Sequence, residues 1–315
     1  MYSMDFLFNV KIKIDHISKN KNPIKFLIGY ALFKTHLCIL LKFYVHDVTL
    51  RFFPSKLSWL LWADNAYYDE ELAFYTTYLK PGDIVVDVGA NIGLISLYSA
   101  LLVKENGSIL SVEPNPETYY YFTKNIGLNN VKTIKPVHAA LGSHESSGFL
   151  DENSFDDCQV SISEKGSTKI DIIPLDSLTE NLDKIDLLKI DVEGFEKFVL
   201  EGATKSLNRT QCIVFESYEE HFSRYGYSCT DVFSLLKSAN FLLFRFKEGP
   251  VLEPVDEFHI SRQCENLLAI KDIEEFFKKN GQKRNQYSLC GRIIPLPKSR
   301  LPVRAHPRKP SILNK

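Results

Sequence analysis

Between Pro81 and residue 280, short apolar runs alternate with stretches whose apolar positions return every three or four residues. The first pattern marks buried strands and the second amphipathic helices. Strands are predicted at 84–88, 107–113, 131–141 (with its exit), 185–192, 211–217, 241–246 and 266–270. Helices are predicted at 92–103, 115–128, 195–207, 229–239 and 271–280. Strands that alternate with helices form parallel βαβ units and hence an α/β sheet. Upstream, 46–56 reads as a short strand and turn, and 67–80 as a helix stopped by Pro81 and Gly82. The polar, Ser-rich segment 146–178 breaks the rhythm and reads as an inserted hairpin near the carboxyl ends of the strands. The pattern divides the chain into an extension over 1–45, a main domain over 46–280 and a basic, Pro-rich tail over 281–315.

Composition narrows the picture. The 315 residues are 44% hydrophobic and 12% aromatic, enough to fill a sizeable core. A net charge of −1 does not mark the molecule as a polyanion binder, so nucleic acid is not an expected partner. The cysteines at 38, 158, 212, 229, 264 and 290 form no CxxC pair, which suggests neither zinc nor a redox couple. The start "MYSMDFLFNV" lacks the basic region of a secretory signal, and reduced thiols in the cytoplasm are the expectation. The run 25–46 is long enough to span a bilayer, but Lys25, Lys34, His36 and Lys42 interrupt it. A charge at the bilayer centre costs about 2.5–3.5 kcal/mol. A packing or interfacial helix is therefore expected, leaving room for membrane-surface contact through 1–45. The tail, with five prolines and no acidic residue, is expected to be disordered or draped over the body. The aromatic stretch 59–78 reads as a core-facing helix, with a lid over the site as its functional alternative.

The stretch "DIVVDVGANIGLIS" (83–96) carries the first candidate chemistry. In an open α/β sheet, ligands bind beyond the carboxyl ends of the strands. Gly89 and Gly93 let backbone approach a ligand, and a helix from Ile92 would offer free N–H groups. Glu113 ends the next strand, where a carboxylate accepts bonds from ribose hydroxyls in nucleoside-binding folds. The spacing G-A-N-x-G differs from the dinucleotide pattern G-x-G-x-x-G. Asp87, two residues before the first glycine, disfavours a pyrophosphate and suits a cation. S-adenosyl-L-methionine fits, with its ammonium, sulfonium and ribose. An unliganded turn whose glycines only permit close packing is the alternative.

A second signature is "IDLLKIDVEGFEKFVLEGA" (185–203). Together with "VVDVGANIGLISLYSA", "VEPNPETYYYFTKNIGLNN" and "HAALGS", it resembles the FkbM-type S-adenosylmethionine-dependent methyltransferases over residues 46–280. The resemblance implies a class I methyltransferase, Rossmann-like sheet of about seven mostly parallel strands, one antiparallel, with helices on both faces. It also implies methyl transfer to an oxygen of a sugar, glycan or other small metabolite. By the same resemblance, Asp87, Gly89, Asn91 and Gly93 line the methionine end of the cofactor, Glu113 binds the ribose, and His138 and Ala139 border the adenine. Class I enzymes often carry an acid after the third strand. Here His138 and Ala139 stand there instead.

Methyl transfer needs an acceptor oxygen aligned behind the methyl group and relieved of its proton. Lys189 and Asp191, two apart, share a strand face, and Glu193 follows in the turn. Asp191 is the first candidate for base or acceptor-orienting group, with Lys189 keeping it ionised. A structural ion pair under a loop is the competing reading. Glu216 ends the fifth strand and His221 follows in "ESYEEHF", so both could face the acceptor. Asp191, Glu193 and Glu216 carry the donors of a hard cation such as Mg²⁺, but the sequence fixes no geometry and no metal is assigned. Two other functions compete. One is a nicotinamide-dependent oxidoreductase, disfavoured by Asp87 and the glycine spacing. The other is a scaffold that has lost cofactor binding and docks through its basic tail.

Overall fold

The computed structural model describes residues 22–151, 161–163, 166, 168–247, 251–256, 258–280 and 294–295. Its strands are β1 Lys42–Val45, β2 Val48–Arg51, β3 Ile84–Val88, β4 Ser108–Val112, β5 Ile134–Val137, β6 Ala140–Leu141, β7 Ser146–Asp151 and β8 Ser161–Ser163. They continue as β9 Thr168–Ile173, β10 Ile185–Ile190, β11 Thr210–Ser217, β12 Leu242–Lys247, β13 Val251–Pro254, β14 Glu265–Ile270 and β15 Ile294–Pro295. The main sheet runs β15-β13-β12-β14-β11-β10-β3-β4-β5. From β5 to β11 all neighbours are parallel. β14 lies antiparallel to both β11 and β12, so one strand of the central seven is reversed, as expected. The chain moves outward through β3, β4 and β5, then returns to β10 on the other side of β3. That reversal opens a crevice at the carboxyl ends of β3 and β10, where α/β sheets take their ligands.

Strand alternation divides the core into two layers. Val85, Ile109, Leu187, Val214 and Leu268 face helices Lys56–Ala63, Asp69–Tyr78, Leu94–Val103 and Ile273–Lys279. Val86, Leu110, Leu188, Ile213 and Ala269 face helices Glu196–Glu201, Thr204–Arg209 and Cys229–Ser238. The helix predicted at 195–207 is therefore two. Asp176 accepts the backbone N–H groups of Lys205 (2.9 Å) and Ser206 (2.7 Å), satisfying the first donors of the second helix.

Three other elements differ from the sequence reading. The run 25–46 is not one helix. Helix Pro23–Lys34 ends in a tight turn, Leu37–Leu40, and residues 42–45 become β1 paired with β2. No helix among the described residues is long and apolar enough to cross a membrane. The boundary at 45/46 falls in the turn of that hairpin. The hairpin expected within 146–178 is part of a four-stranded sheet, β6-β9-β7-β8. β13 was not anticipated, and residues 294–295 of the tail add β15 to it; the rest of the tail lies outside the described residues. The aromatic stretch splits into helices Lys56–Ala63 and Asp69–Tyr78, with Phe74, Tyr75 and Tyr78 in the core.

Two asparagines tie the N-terminal hairpin to the main sheet. Asn129 accepts from the backbone N–H of Thr49 and donates to the Thr49 carbonyl. Asn125, fully buried, accepts from Arg51 N–H at 3.0 Å and donates to the Ile92 carbonyl at 2.9 Å. Replacing Asn125 by Ala strands a backbone donor and a backbone acceptor. We expect urea unfolding of Asn125→Ala to show a loss of about 2–4 kcal/mol at an unchanged m value. A loss below about 0.5 kcal/mol would mean that these groups find other partners.

Candidate active site

A row of polar side chains crosses the otherwise apolar sheet. Lys189 of β10 pairs in register with Asp87 of β3, and Asp87 with Ser111 of β4. All three are buried. They belong to the alternating positions that face helices Asp69–Tyr78 and Leu94–Val103. Ser96 of the latter donates to Asp87 Oδ2 at 2.5 Å and lies 2.8 Å from Ser111 Oγ. Asp87 Oδ1 is buried with no hydrogen-bond partner. Burial raises the Asp87 pKa above the ordinary carboxylate value, while Lys189 and Ser96 pull it back. Lys189 Nζ sits 2.7 Å from Asp191 Oδ2. Burial would lower the lysine pKa, yet Asp191, Asp87 and Glu71 together hold it above the ordinary value.

The turn after β3 is bonded inward. The N–H groups of Gly89 and Ala90 both reach the Val112 carbonyl, and that of Gly93 reaches Ala90. Asn91 N–H donates to Glu113 Oε2 at 2.8 Å, and Ile92 N–H to the Asn91 side chain. The Ile92 N–H, expected to be free, is thus engaged within this turn. Helix Leu94–Val103 starts only after Gly93. Gly89 (φ +83°) lets the next turn close over it: a Cβ there would lie 1.8 Å from the Asp191 carbonyl oxygen. Gly93 makes room for the Phe122 ring rather than for a ligand. Glu113 also accepts from Asn115 N–H at 2.9 Å, so it clamps both strand exits. Burial pushes its pKa up to about 7 against these two bonds.

The turn after β10 carries the acids of the second signature. Glu193 stands at φ +54°, and the Val192 N–H is held by Glu196 Oε1 at 3.0 Å. His221 Nδ1 lies 3.3 Å from both Glu193 Oε2 and Glu216 Oε2. Cys264 donates to Glu216 Oε1 at 2.8 Å. Glu193, Glu216 and His221 bring donor atoms within 4.8 Å of one another, a set with the chemistry to hold a divalent cation. Asp191 stands apart from that set, engaged by Lys189.

The crevice is lined by Asp87, Gly89, Asn91, Glu113, Ala139, Lys189, Asp191 and Glu193 among the residues singled out from sequence. Gly93, His138, Glu216 and His221 are not part of the lining. His138 is exposed, stacks on Tyr119 at 4.8 Å and lies 3.0 Å from the Pro114 carbonyl. Glu216 and His221 are buried behind the crevice, His221 contacting Glu193 and Glu216 contacting His221. Sequence reasoning missed Ser96, Ser111, Glu71 and Glu196. The two serines could have been found, as small polar residues inside the apolar runs "GLISLYSA" and "ILSVE". Glu71 could not. It joins the cluster only through the tertiary approach of helix Asp69–Tyr78, where Tyr75 donates to it.

With this geometry in hand, the chain can be set beside known proteins. The sequence model described as Methyltransferase FkbM domain matches residues 87–243. The hexuronic acid methyltransferase AglP of Haloferax volcanii is 31% identical over 165 residues, covering 50% of this chain and 62% of that protein. Methyltransferase 1 of Beauveria bassiana is 30% identical over 145 residues, covering 38% of this chain and 57% of that protein. The chain thus spans less than two thirds of the length of either relative. A solved FkbM methyltransferase of Methylobacillus flagellatus is 15% identical with a TM-score of 0.40, covering 77% of this chain and 58% of that one.

Glu196 is fully buried, and burial together with Glu216 pushes its pKa from 4.5 up to about 8. Folded protein keeps this proton where the unfolded chain has released it. Stability is therefore greatest below about pH 4.5 on this account and declines as pH rises towards 8. Glu71 and Glu113, raised to about 7, add to the slope only up to that pH. Glu196→Gln keeps the acceptor for Val192 N–H and removes the proton. We expect its thermal midpoint to exceed that of the parent increasingly between pH 7 and 8; parallel profiles would mean that Glu196 is already ionised.

Proposed function

The chain belongs to the FkbM-type methyltransferases, and from that premise we propose that it moves a methyl group from S-adenosylmethionine to a hydroxyl of a sugar, glycan or other small metabolite. The observation that carries the cofactor reading is the polarity of the crevice. It presents Asp87 Oδ1 with no partner, together with Glu113 and Asp191, while the N–H groups from Gly89 to Gly93 are all engaged. Such a lining attracts cations and hydroxyl donors and offers little to a pyrophosphate. Asp87 would hold the charged methionine end. Glu113, whose oxygens each accept one backbone bond, keeps lone pairs for ribose hydroxyls. Ala139, Ala140 and Leu141 supply an apolar wall for the base. The bound sulfonium supplies an already activated methyl group.

The remaining work falls to this chain's own residues. Asp191 lines the crevice, and its Lys189 partner fixes its position at 2.7 Å. It would align the acceptor hydroxyl and take its proton. Alignment is worth about 7–11 kcal/mol of barrier and a positioned base about 10²–10⁴ in rate. His221, itself bonded to Glu216, would act through Glu193 at the crevice edge. A sugar as acceptor is supported by the hexuronic acid methyltransferase among the relatives.

Two variants separate these roles. Asp87→Ala should weaken S-adenosylhomocysteine binding in calorimetry by about tenfold or more, since a buried charged partner is worth about 1.5–3 kcal/mol. Unchanged affinity would take Asp87 out of the site. Asp191→Asn should leave that affinity near the parent value and lower kcat by about 10²–10⁴. Turnover would be followed with methyl-labelled cofactor in a host metabolite extract. Label appearing on nitrogen or carbon, or Asp191→Asn turning over normally, would overturn the acceptor and base assignments respectively.

A further inference from the structure

Helix Pro23–Lys34 is apolar on two opposite faces. One face is packed: Phe26 meets the Trp59 ring at 4.4 Å, Trp59 donates to the Phe26 carbonyl, and Gly29 lies against Trp62. The other face carries Ile24, Leu27, Ile28 and Ala31 at positions i, i+3, i+4 and i+7, all exposed. A helix that is apolar all round is ordinarily buried all round. The turn that follows extends the exposure, with Leu40 at 76% and Ile24 on the helix at 71%. Eight of the fourteen exposed large hydrophobic side chains among the described residues fall between 24 and 44. Water-facing apolar residues are unremarkable singly, but clustered they mark a docking surface.

Charge says what docks there. From His16 to His46 the sequence has five lysines and no Asp or Glu, in a chain with 39 acidic residues. Lys34, His36 and Lys42 are exposed beside the apolar stripe. Lysine stems can lie along apolar surface while the ammonium reaches a phosphate layer; in the free chain the Lys34 ammonium rests over the Phe33 ring at 5.3 Å. Exposed Tyr44 adds an interfacial aromatic. The helix has 12 residues and is too short to span a bilayer. We propose that helix Pro23–Lys34 and the turn Leu37–Leu40 dock this chain on the surface of an anionic phospholipid bilayer. The apolar stripe would enter the headgroup boundary, with the lysines at the phosphate level.

Flotation of the full chain tests this, with vesicles of phosphatidylcholine alone and of phosphatidylcholine mixed with phosphatidylglycerol. The chain should float with the mixed vesicles, and added salt should release it. The triple variant Ile24→Ser, Leu27→Ser, Ile28→Ser should lose at least tenfold in partitioning. Lys34→Gln with Lys42→Gln should lose roughly thirtyfold on mixed vesicles, since each lysine contributes about 1 kcal/mol at an anionic surface, and little on neutral ones. Circular dichroism and S-adenosylhomocysteine affinity should match the parent in both variants, because these side chains face solvent. Three results would overturn the proposal: no flotation with mixed vesicles, flotation indifferent to both variants, or a dimer in light scattering that the triple variant dissolves without any vesicle binding. The last would assign the face to a second copy of the chain.

Discussion

A buried lysine among carboxylates sets the position of everything around the crevice. Lys189 is 4% exposed, and an ammonium so far from water is tolerated only where negative charge surrounds it. Asp191, Asp87 and Glu71 provide that charge, and their combined attraction outweighs the cost of burial. Each comes from a different element. Asp87 belongs to β3, Asp191 to the turn after β10, and Glu71 to helix Asp69–Tyr78. Asp87 in turn engages Ser96 and so fixes helix Leu94–Val103. One charge therefore locates two strands, two helices and a turn relative to one another. A purely apolar row would pack as densely but would not dictate which polar atoms face the crevice.

The same economy appears in the turn after β3. Its N–H groups are consumed by Val112, Glu113, Asn91 and Ala90. A loop whose donors are spent on itself and on the β4 exit presents oxygen rather than nitrogen to the crevice. Gly89 belongs to that design, because the Asp191 carbonyl occupies the space a side chain would need. The two turns that carry the acids thus interlock directly: Asp191 N–H also donates to the Val88 carbonyl. The crevice acids of both turns therefore belong to one hydrogen-bonded unit.

How much of this was legible in the sequence follows from how local each signal is. The parallel strands announced themselves through β-branched apolar runs, and Asp87, Glu113, Lys189 and Asp191 sit at or next to the ends of those runs. Their roles could be framed because strand ends in such sheets converge on one crevice. Features set by tertiary approach were not legible. Glu71 meets Lys189 across more than a hundred residues of sequence, and nothing near Glu71 signals a buried partner. His138 sits at the expected distance past its strand but finds Tyr119 and the Pro114 carbonyl instead. The stretch 37–45, "LCILLKFYV", suits either period, and pairing with β2 decides for a strand. Ser96 and Ser111 stand out in their apolar runs but carry no signal alone, since a serine there has meaning only once its partner is known.

Helix Lys56–Ala63 joins the two surfaces that matter. Leu57 lines the crevice, while Trp59 and Trp62 hold helix Pro23–Lys34. On the sheet side, Asn125 links Arg51 of β2 to the Ile92 carbonyl in the turn after β3. The exposed apolar stripe is therefore carried by the same packed body as the site, with one helix thickness and a few hydrogen bonds between them. No flexible linker intervenes between Pro23 and the crevice wall, because residues 37–51 are fixed by the turn and the hairpin. A force that seats the stripe on a surface must orient the crevice with it. For an enzyme whose acceptor is held at that surface, orientation of the whole body becomes part of substrate alignment, the contribution that methyl transfer depends on most.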